Sequence, residues 1–119
     1  MDLESYFESA EGFGVLATAD RCGKVDAAVY SRPHFLSRST VAFIMAGRLT
    51  HANLATNPHA VYLFHERGPG YKGVRLYIKK TKEEKDSPLI PLLRRRKIAC
   101  TGAKNSQGTF LVYFRILKK

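Results

Sequence analysis

Thr40–Pro58 reads TVAFIMAGRLTHANLATNP, and the fold follows from where this stretch changes character. Val41 to Ala46 is an unbroken apolar run of strand length, the pattern of a strand buried in a core. Gly47 marks a turn. A short helix follows, and its first turn carries Arg48, Thr50, His51 and Asn53, with Thr50 as a candidate cap. The helix stops where Asn57 meets Pro58, because a residue before proline is pushed out of helical geometry. A buried strand that runs into a helix N-terminus lined with donors and positive charge is the physical arrangement that holds a phosphate.

Upstream, residues 2–10 have a capping Asp2 and an apolar stripe of Leu3, Tyr6, Phe7 and Ala10, which predicts a short helix ended by Gly12 and Gly14. GVLATA is then a short strand and DRCGK a tight polar turn. A second strand is expected over Val25–Leu36. It alternates Val25, Ala27, Val29, Ser31 and Phe35 against Asp26, Tyr30, Arg32 and His34, with its pairing disturbed at Pro33.

Downstream, HAVYLFHE reads as a strand, GPGYKG as a glycine-rich hairpin loop, and VRLYIKK as a strand with Val74, Leu76 and Ile78 inward. TKEEKD reads as a solvated turn. Ser87 and Pro88 open a helix over residues 88–97 with a Leu89, Leu92 and Leu93 stripe and a basic RRRK end. CTGAKNSQG reads as a polar loop. The chain finishes on TFLVYFRILKK, a strand apolar on both faces, which predicts cover by the core on one side and another subunit on the other. Six closely spaced antiparallel strands with three short helices favour a barrel, which removes exposed sheet edges.

The 119 residues fit a single domain, 1–119, with one core. No apolar segment reaches the about 20 residues of a membrane span, and the acidic N-terminus lacks signal-peptide character, so the expectation is a cytoplasmic protein. Cys22 and Cys100 make no disulfide framework. The net charge of +10 is uneven: residues 1–60 hold five Lys/Arg and six Asp/Glu, residues 61–119 fifteen and four. Such asymmetry fits a polyanion partner, a lysine-rich solvated face, or phosphate-bearing ligands on that side. His34, His51, His59 and His65 lack zinc-site spacing, so no metal is expected.

The SRPHF segment, followed by a strand and then NLATNPHAVYLF, resembles the pyridoxamine 5′-phosphate oxidase-related family of FMN-binding split barrels. The motif residues are Asn53, Leu54, Asn57 and Pro58, preceded by Arg48, Thr50 and His51. The resemblance implies a mainly β, six-stranded antiparallel split barrel that forms a homodimer with FMN sites at the subunit interface. It places the flavin ring against the backbone of Tyr30, Ser31, Arg32 and Pro33 and near Ile44, Met45 and Ala46. The phosphate falls at Arg48, Thr50, His51 and Asn53, and Tyr71 and Arg75 are candidates contributed by the partner subunit. His51 stands where many relatives carry Lys or Arg.

Each of these residues also has a plain structural reading. Arg48 is otherwise a solvated loop residue, Asn53 a tie to the neighbouring strand, and Ile44 and Met45 core residues. Arg32 lies either over the flavin's polar edge or in solvent. The functional expectation is a flavin-dependent oxidoreductase or electron carrier with an unknown small-molecule or redox partner, without catalytic side chains assigned. True pyridoxamine 5′-phosphate oxidase activity is not expected, because the resemblance lacks that enzyme's C-terminal arginine and histidine segment. The alternative is a non-enzymatic basic β-barrel module that binds nucleic acid by stacking on Tyr62, Phe64, Tyr71, Tyr77 and Tyr113. A further variant of the first reading has haem or F420 in the same groove.

Overall fold

The computed structural model describes residues 2–94 and 109–119. Helix α1 (Leu3–Ser9) leads into β1 (Gly12–Ala19), β2 (Val25–Tyr30), β3 (His34–Phe35) and β4 (Thr40–Ala46). Helix α2 (Leu49–Thr56) connects to β5 (His59–Glu66), β6 (Gly73–Lys85), α3 (Leu89–Arg94) and β7 (Thr109–Lys118). The expected ends of the third helix beyond Arg94 and the loop over residues 100–108 lie outside the described residues.

All pairings are antiparallel, in the order β2-β1-β5-β6-β7-β4-β3. The two edge strands, β2 and β3, are consecutive in the chain and separated only by Ser31, Arg32 and Pro33. Three residues span at most about 10 Å, so the sheet must curl until its edges approach each other. Tyr62 fastens that approach. Its ring is fully buried, and its hydroxyl donates to the Ser31 carbonyl at 3.0 Å. The ring lies where Gly14 has no side chain; a Cβ there would come within 2.0 Å of the Tyr62 Oη. Gly12 and Gly14 are therefore part of β1 rather than a break before it.

The curl encloses one main core, with Leu16, Phe43, Tyr62, Phe64, Leu76 and Phe114 among its buried members and Phe7 of α1 closing one side. A smaller cluster joins Ala42, Leu111 and Tyr113 to Ile90 of α3 on the outer face of β4 and β7. Within the chain, α3 covers the second face of the last strand at Leu111 and Tyr113, whereas Arg115 and Leu117 on that face are exposed.

Three boundaries differ from the sequence reading, and the first of them gives seven strands instead of six. The long second strand divides at Pro33, which cannot donate to a ladder, into β2 and the two-residue β3. TKEEKD is no turn, because β6 runs on through Lys85. Its pairing with β7 shifts register at Tyr77/Ile78 and at Lys80/Lys82, so the charged residues lose simple alternation. The helix after Gly47 begins at Leu49 with Arg48 as N-cap, which places Thr50 at the second helical position rather than at the cap. Ser87, by contrast, caps α3 as expected, accepting from the Leu89 N–H at 3.1 Å.

Candidate functional site

Strand β4 pairs with β7 along its whole length, from Thr40 against Arg115 to Ala46 against Thr109. On its other side β3 reaches only Val41 and Ala42. Among the described residues no strand pairs with Phe43–Ala46 on that side, so the backbone of this segment borders the seam where the sheet's edges meet. Side chains alternate across it. Met45 is buried in the main core, Ile44 packs outward with the α3 cluster, and Ala46 is half-buried. Neither Ile44 nor Met45 presents a free side chain, so what this segment offers a ligand is its backbone.

The open edge runs directly into α2. The Arg48 N–H bonds the Ala46 carbonyl at 2.8 Å, and the Ala52 N–H bonds the Arg48 carbonyl at 2.9 Å. The N–H groups of Leu49, Thr50 and His51 lie ahead of that last bond and have no intrahelical partner of their own. An arginine N-cap has no acceptor to give them, and no side-chain cap forms. Arg48 itself is exposed, and no ion pair engages its guanidinium among the described residues. A helix start with unmet donors beside an exposed cation is the chemistry that suits a phosphate group.

The neighbouring side chains hold this helix in place. Asn53 is buried and donates through Nδ2 to the Thr18 hydroxyl of β1 at 3.1 Å, the structural tie that its alternative reading named. Thr50 is buried against Tyr30. Burial pushes the Tyr30 phenol up, and a hydrogen bond from Thr50 partly offsets it. Tyr30 packs its ring edge-on against Phe43.

His51 turns toward β6 and β7. Its ring stacks on Phe110 with centroids 3.9 Å apart, and Nε2 lies 3.0 Å from both Glu83 carboxylate oxygens. Lys80 Nζ holds the same carboxylate at 2.8 Å. Burial pushes Glu83 up, but the hydrogen bonds from Lys80 and His51 outweigh it and hold the carboxyl below its ordinary value. Glu83 escaped the sequence reading because it lies in TKEEKD, the segment read as a solvated turn, whereas Lys80 closes the expected strand VRLYIKK.

The seam's other residues divide. Ser31 is exposed and Pro33 is buried. Arg32 is exposed, and its Nη1 donates to the carbonyls of Phe7 and Ala10 at 2.6 and 2.9 Å, gripping the C-terminal end of α1. Tyr71 is almost fully exposed in the loop between β5 and β6, and Arg75 donates to the Tyr77 hydroxyl at 3.1 Å. The β5–β6 register, His59 with Lys79 and His65 with Gly73, puts both toward the end of that hairpin away from α2. One protomer therefore does not bring Tyr71 and Arg75 to the Arg48 cluster. The proposed stacking platform fails on burial, since Tyr62, Phe64 and Tyr113 are core residues.

No family model matches the chain, and no curated protein does. Solved structures do. An FMN-binding protein from Syntrophomonas wolfei superposes with a TM-score of 0.77 at 20% identity, covering 98% of this chain and 81% of that one. An F420 reductase gives 0.72 at 16% identity, covering 97% and 93%. A pyridoxamine 5′-phosphate oxidase-related, FMN-binding protein from Nostoc punctiforme gives 0.58 at 12%, covering 87% and 70%. The chain thus shares the split-barrel fold of the pyridoxamine 5′-phosphate oxidase-related FMN-binding proteins.

Proposed function

We propose that this protein is an FMN-binding flavoprotein, working as a flavin-dependent oxidoreductase or electron carrier. The observation that carries the reading is the continuity of the unpaired β4 edge, Phe43–Ala46, with the uncapped start of α2 at Arg48. A ligand with a planar polar ring at one end and a phosphate at the other matches those two features in that order. When bound, FMN supplies the hydride or electron chemistry.

The chain's own residues supply binding and orientation. Arg48 and the N–H groups of Leu49 and Thr50 hold the phosphate by charge and directed hydrogen bonds. The β4 edge and the 30–33 crossover give the ring's polar rim backbone partners, and the Tyr62 hydroxyl keeps that crossover fixed. Thr50 and Asn53, both buried, keep α2 from moving away from β1 and β2.

The outer face of the sheet supports the homodimer as part of the same reading. Val25 and Val29 are 79% and 73% exposed, and Phe13 and Leu63 about half exposed. The register sets Val29, Val15 and Leu63 in one row across β2, β1 and β5. A contiguous apolar face on a small chain marks an interaction surface, and a second copy docking face to face closes it symmetrically. Arg75, paired with Leu63, continues that row.

The test is a titration of the wild-type protein with FMN and with riboflavin, followed by flavin fluorescence. Saturable quenching with FMN bound more tightly than riboflavin supports the reading. A protein that quenches neither ligand refutes it.

A further inference from the structure

Lys79 and Arg115 stand in an arrangement that their charges oppose. The register places Lys79 of β6 directly opposite Arg115 of β7 and beside His59 of β5. Their chain neighbours Ile78, Phe114 and Ala60 are buried, so all three point to the outer face of the sheet. Like charges directly opposite each other weaken a strand pair. Among the described residues no carboxylate pairs with Lys79 or Arg115. The next row, Tyr77 opposite Lys118, adds a cation, with the Lys118 Nζ 5.1 Å over the Tyr77 ring. That row runs on into Val61, and so into the apolar face of Val15, Val29 and Leu63.

Helix α1 carries the opposite charge imbalance. Glu4 and Glu8 lie one turn apart and exposed, a spacing at which like charges repel. No ion pair engages either among the described residues. The two clusters do not meet within one chain. α1 sits at the Glu66 end of β5, held there by the Tyr6 hydroxyl, and His59 marks the other end. The eight residues of β5, at about 3.3 Å each, separate those ends by roughly 23 Å.

Resting on the homodimer reading of the outer apolar face, we propose that α1 of a second copy docks on this basic row, with Glu4 and Glu8 pairing with Lys79 and Arg115. The spacings agree: side chains one helical turn apart have Cβ atoms about 5–6 Å apart, and opposed strand residues about 4.5–5.5 Å. A two-fold axis lying across the strands exchanges their ends. Each copy's α1 end then meets its partner's basic row, and the contact is made twice. The outer face of a curled sheet is convex, which suits a helix of another copy better than a small anion that takes a concave site. Lys118 also occupies a face of Tyr77 that a nucleobase would need for stacking.

The test is a charge exchange between two doubly substituted proteins, Lys79→Glu with Arg115→Glu and Glu4→Lys with Glu8→Lys. Circular dichroism checks their folding, and sedimentation equilibrium at low salt measures each alone and both mixed in equal amounts. Each variant alone sets like charge against like at both contacts, so its dimer weakens by about tenfold or more, the scale of four exposed ion pairs. In the mixture both contacts of the heterodimer are again opposite in sign, so the dimer returns although both chains remain net positive. The milder Lys79→Gln with Arg115→Gln removes only the attraction and weakens the dimer by less. A wild-type dimer whose variants dimerise unchanged, or whose mixture stays as weak as either variant alone, overturns the inference and leaves the homodimer standing. A wild-type protein that is a monomer overturns both. FMN quenching by wild type in the same buffer reports the flavin reading independently.

Discussion

Replacing Arg32 by alanine separates two jobs that its sequence position allows. In the structure one guanidinium nitrogen bridges two carbonyls at the end of α1, Phe7 and Ala10, the first part-buried and the second exposed. A part-buried hydrogen bond from a charged donor contributes about 1.5–3 kcal/mol, and the exposed one adds little. Arg32→Ala should therefore cost about 2 kcal/mol. For a chain of this size that lowers Tm by roughly 6–12 °C, as scaled from small and mid-sized domains. The loss should appear first as faster amide exchange over Leu3–Ser9, because α1 is the element released. FMN affinity, measured at a temperature where the variant is folded, should change less than twofold. Arg32→Lys, which keeps the charge but not the forked planar donor, should recover only part of the stability. Unchanged Tm together with a large loss of FMN affinity would place Arg32 on the ligand and refute the helix-clamp account.

Other expectations follow from particular contacts. Gly14→Ala puts a Cβ into the buried Tyr62 side chain and should cost about 1–3 kcal/mol by overpacking, read from chemical denaturation; a neutral result would mean that Tyr62 does not close the seam. The Tyr6 phenol is pushed up to about 12 by burial and by its hydrogen bond to the Glu66 carboxylate. The folded state thus holds this proton more tightly than the unfolded chain, whose tyrosines titrate near 10. Stability is full below about pH 10 and falls as pH rises toward 12, and Tyr6→Phe should flatten that alkaline loss in denaturation midpoints. Val29→Lys, on the outer apolar row, should convert a dimer to a monomer in sedimentation equilibrium with the circular dichroism spectrum kept; a persistent dimer would move the interface elsewhere.

Much of this fold is legible in the residues. The β4 run, the turn at Gly47 and the stop at Asn57–Pro58 all stand where local rules put them, and so do the α1 stripe and the Ser87 cap. What was not legible depends on contacts distant in sequence. The valines of β2 alternate as a core face would, yet they point outward, because α2 and Tyr30 occupy the inner side; alternation gives two faces but not which one is buried. The strand character of Thr81–Lys85 is hidden by its charges and by a register shift that interrupts alternation. Ending that strand at Lys80 leaves Glu83, the carboxylate partner of His51, in a solvated turn. Arg32 was assigned to ligand or solvent because nothing local announces that a helix end lies across the seam.

The candidate site divides similarly. Arg48 and the donors of α2 follow from an arginine at a helix start. Thr50 and Asn53 follow from the polar first turn of that helix, and burial gives them a structural role in holding it whatever else they touch. The open backbone of Phe43–Ala46 is a property of topology, since it exists only because β3 ends after two residues.

The most direct test is the FMN-to-riboflavin affinity ratio of Arg48→Ala beside that of wild type. Arg48 is exposed, so its removal leaves the core intact, whereas a change at buried Thr50 would also disturb Tyr30. Loss of one charge-assisted phosphate contact of about 1.5 kcal/mol predicts FMN weakened roughly tenfold, with riboflavin unchanged. Equal weakening of both ligands, or of neither, would contradict a phosphate site at the start of α2.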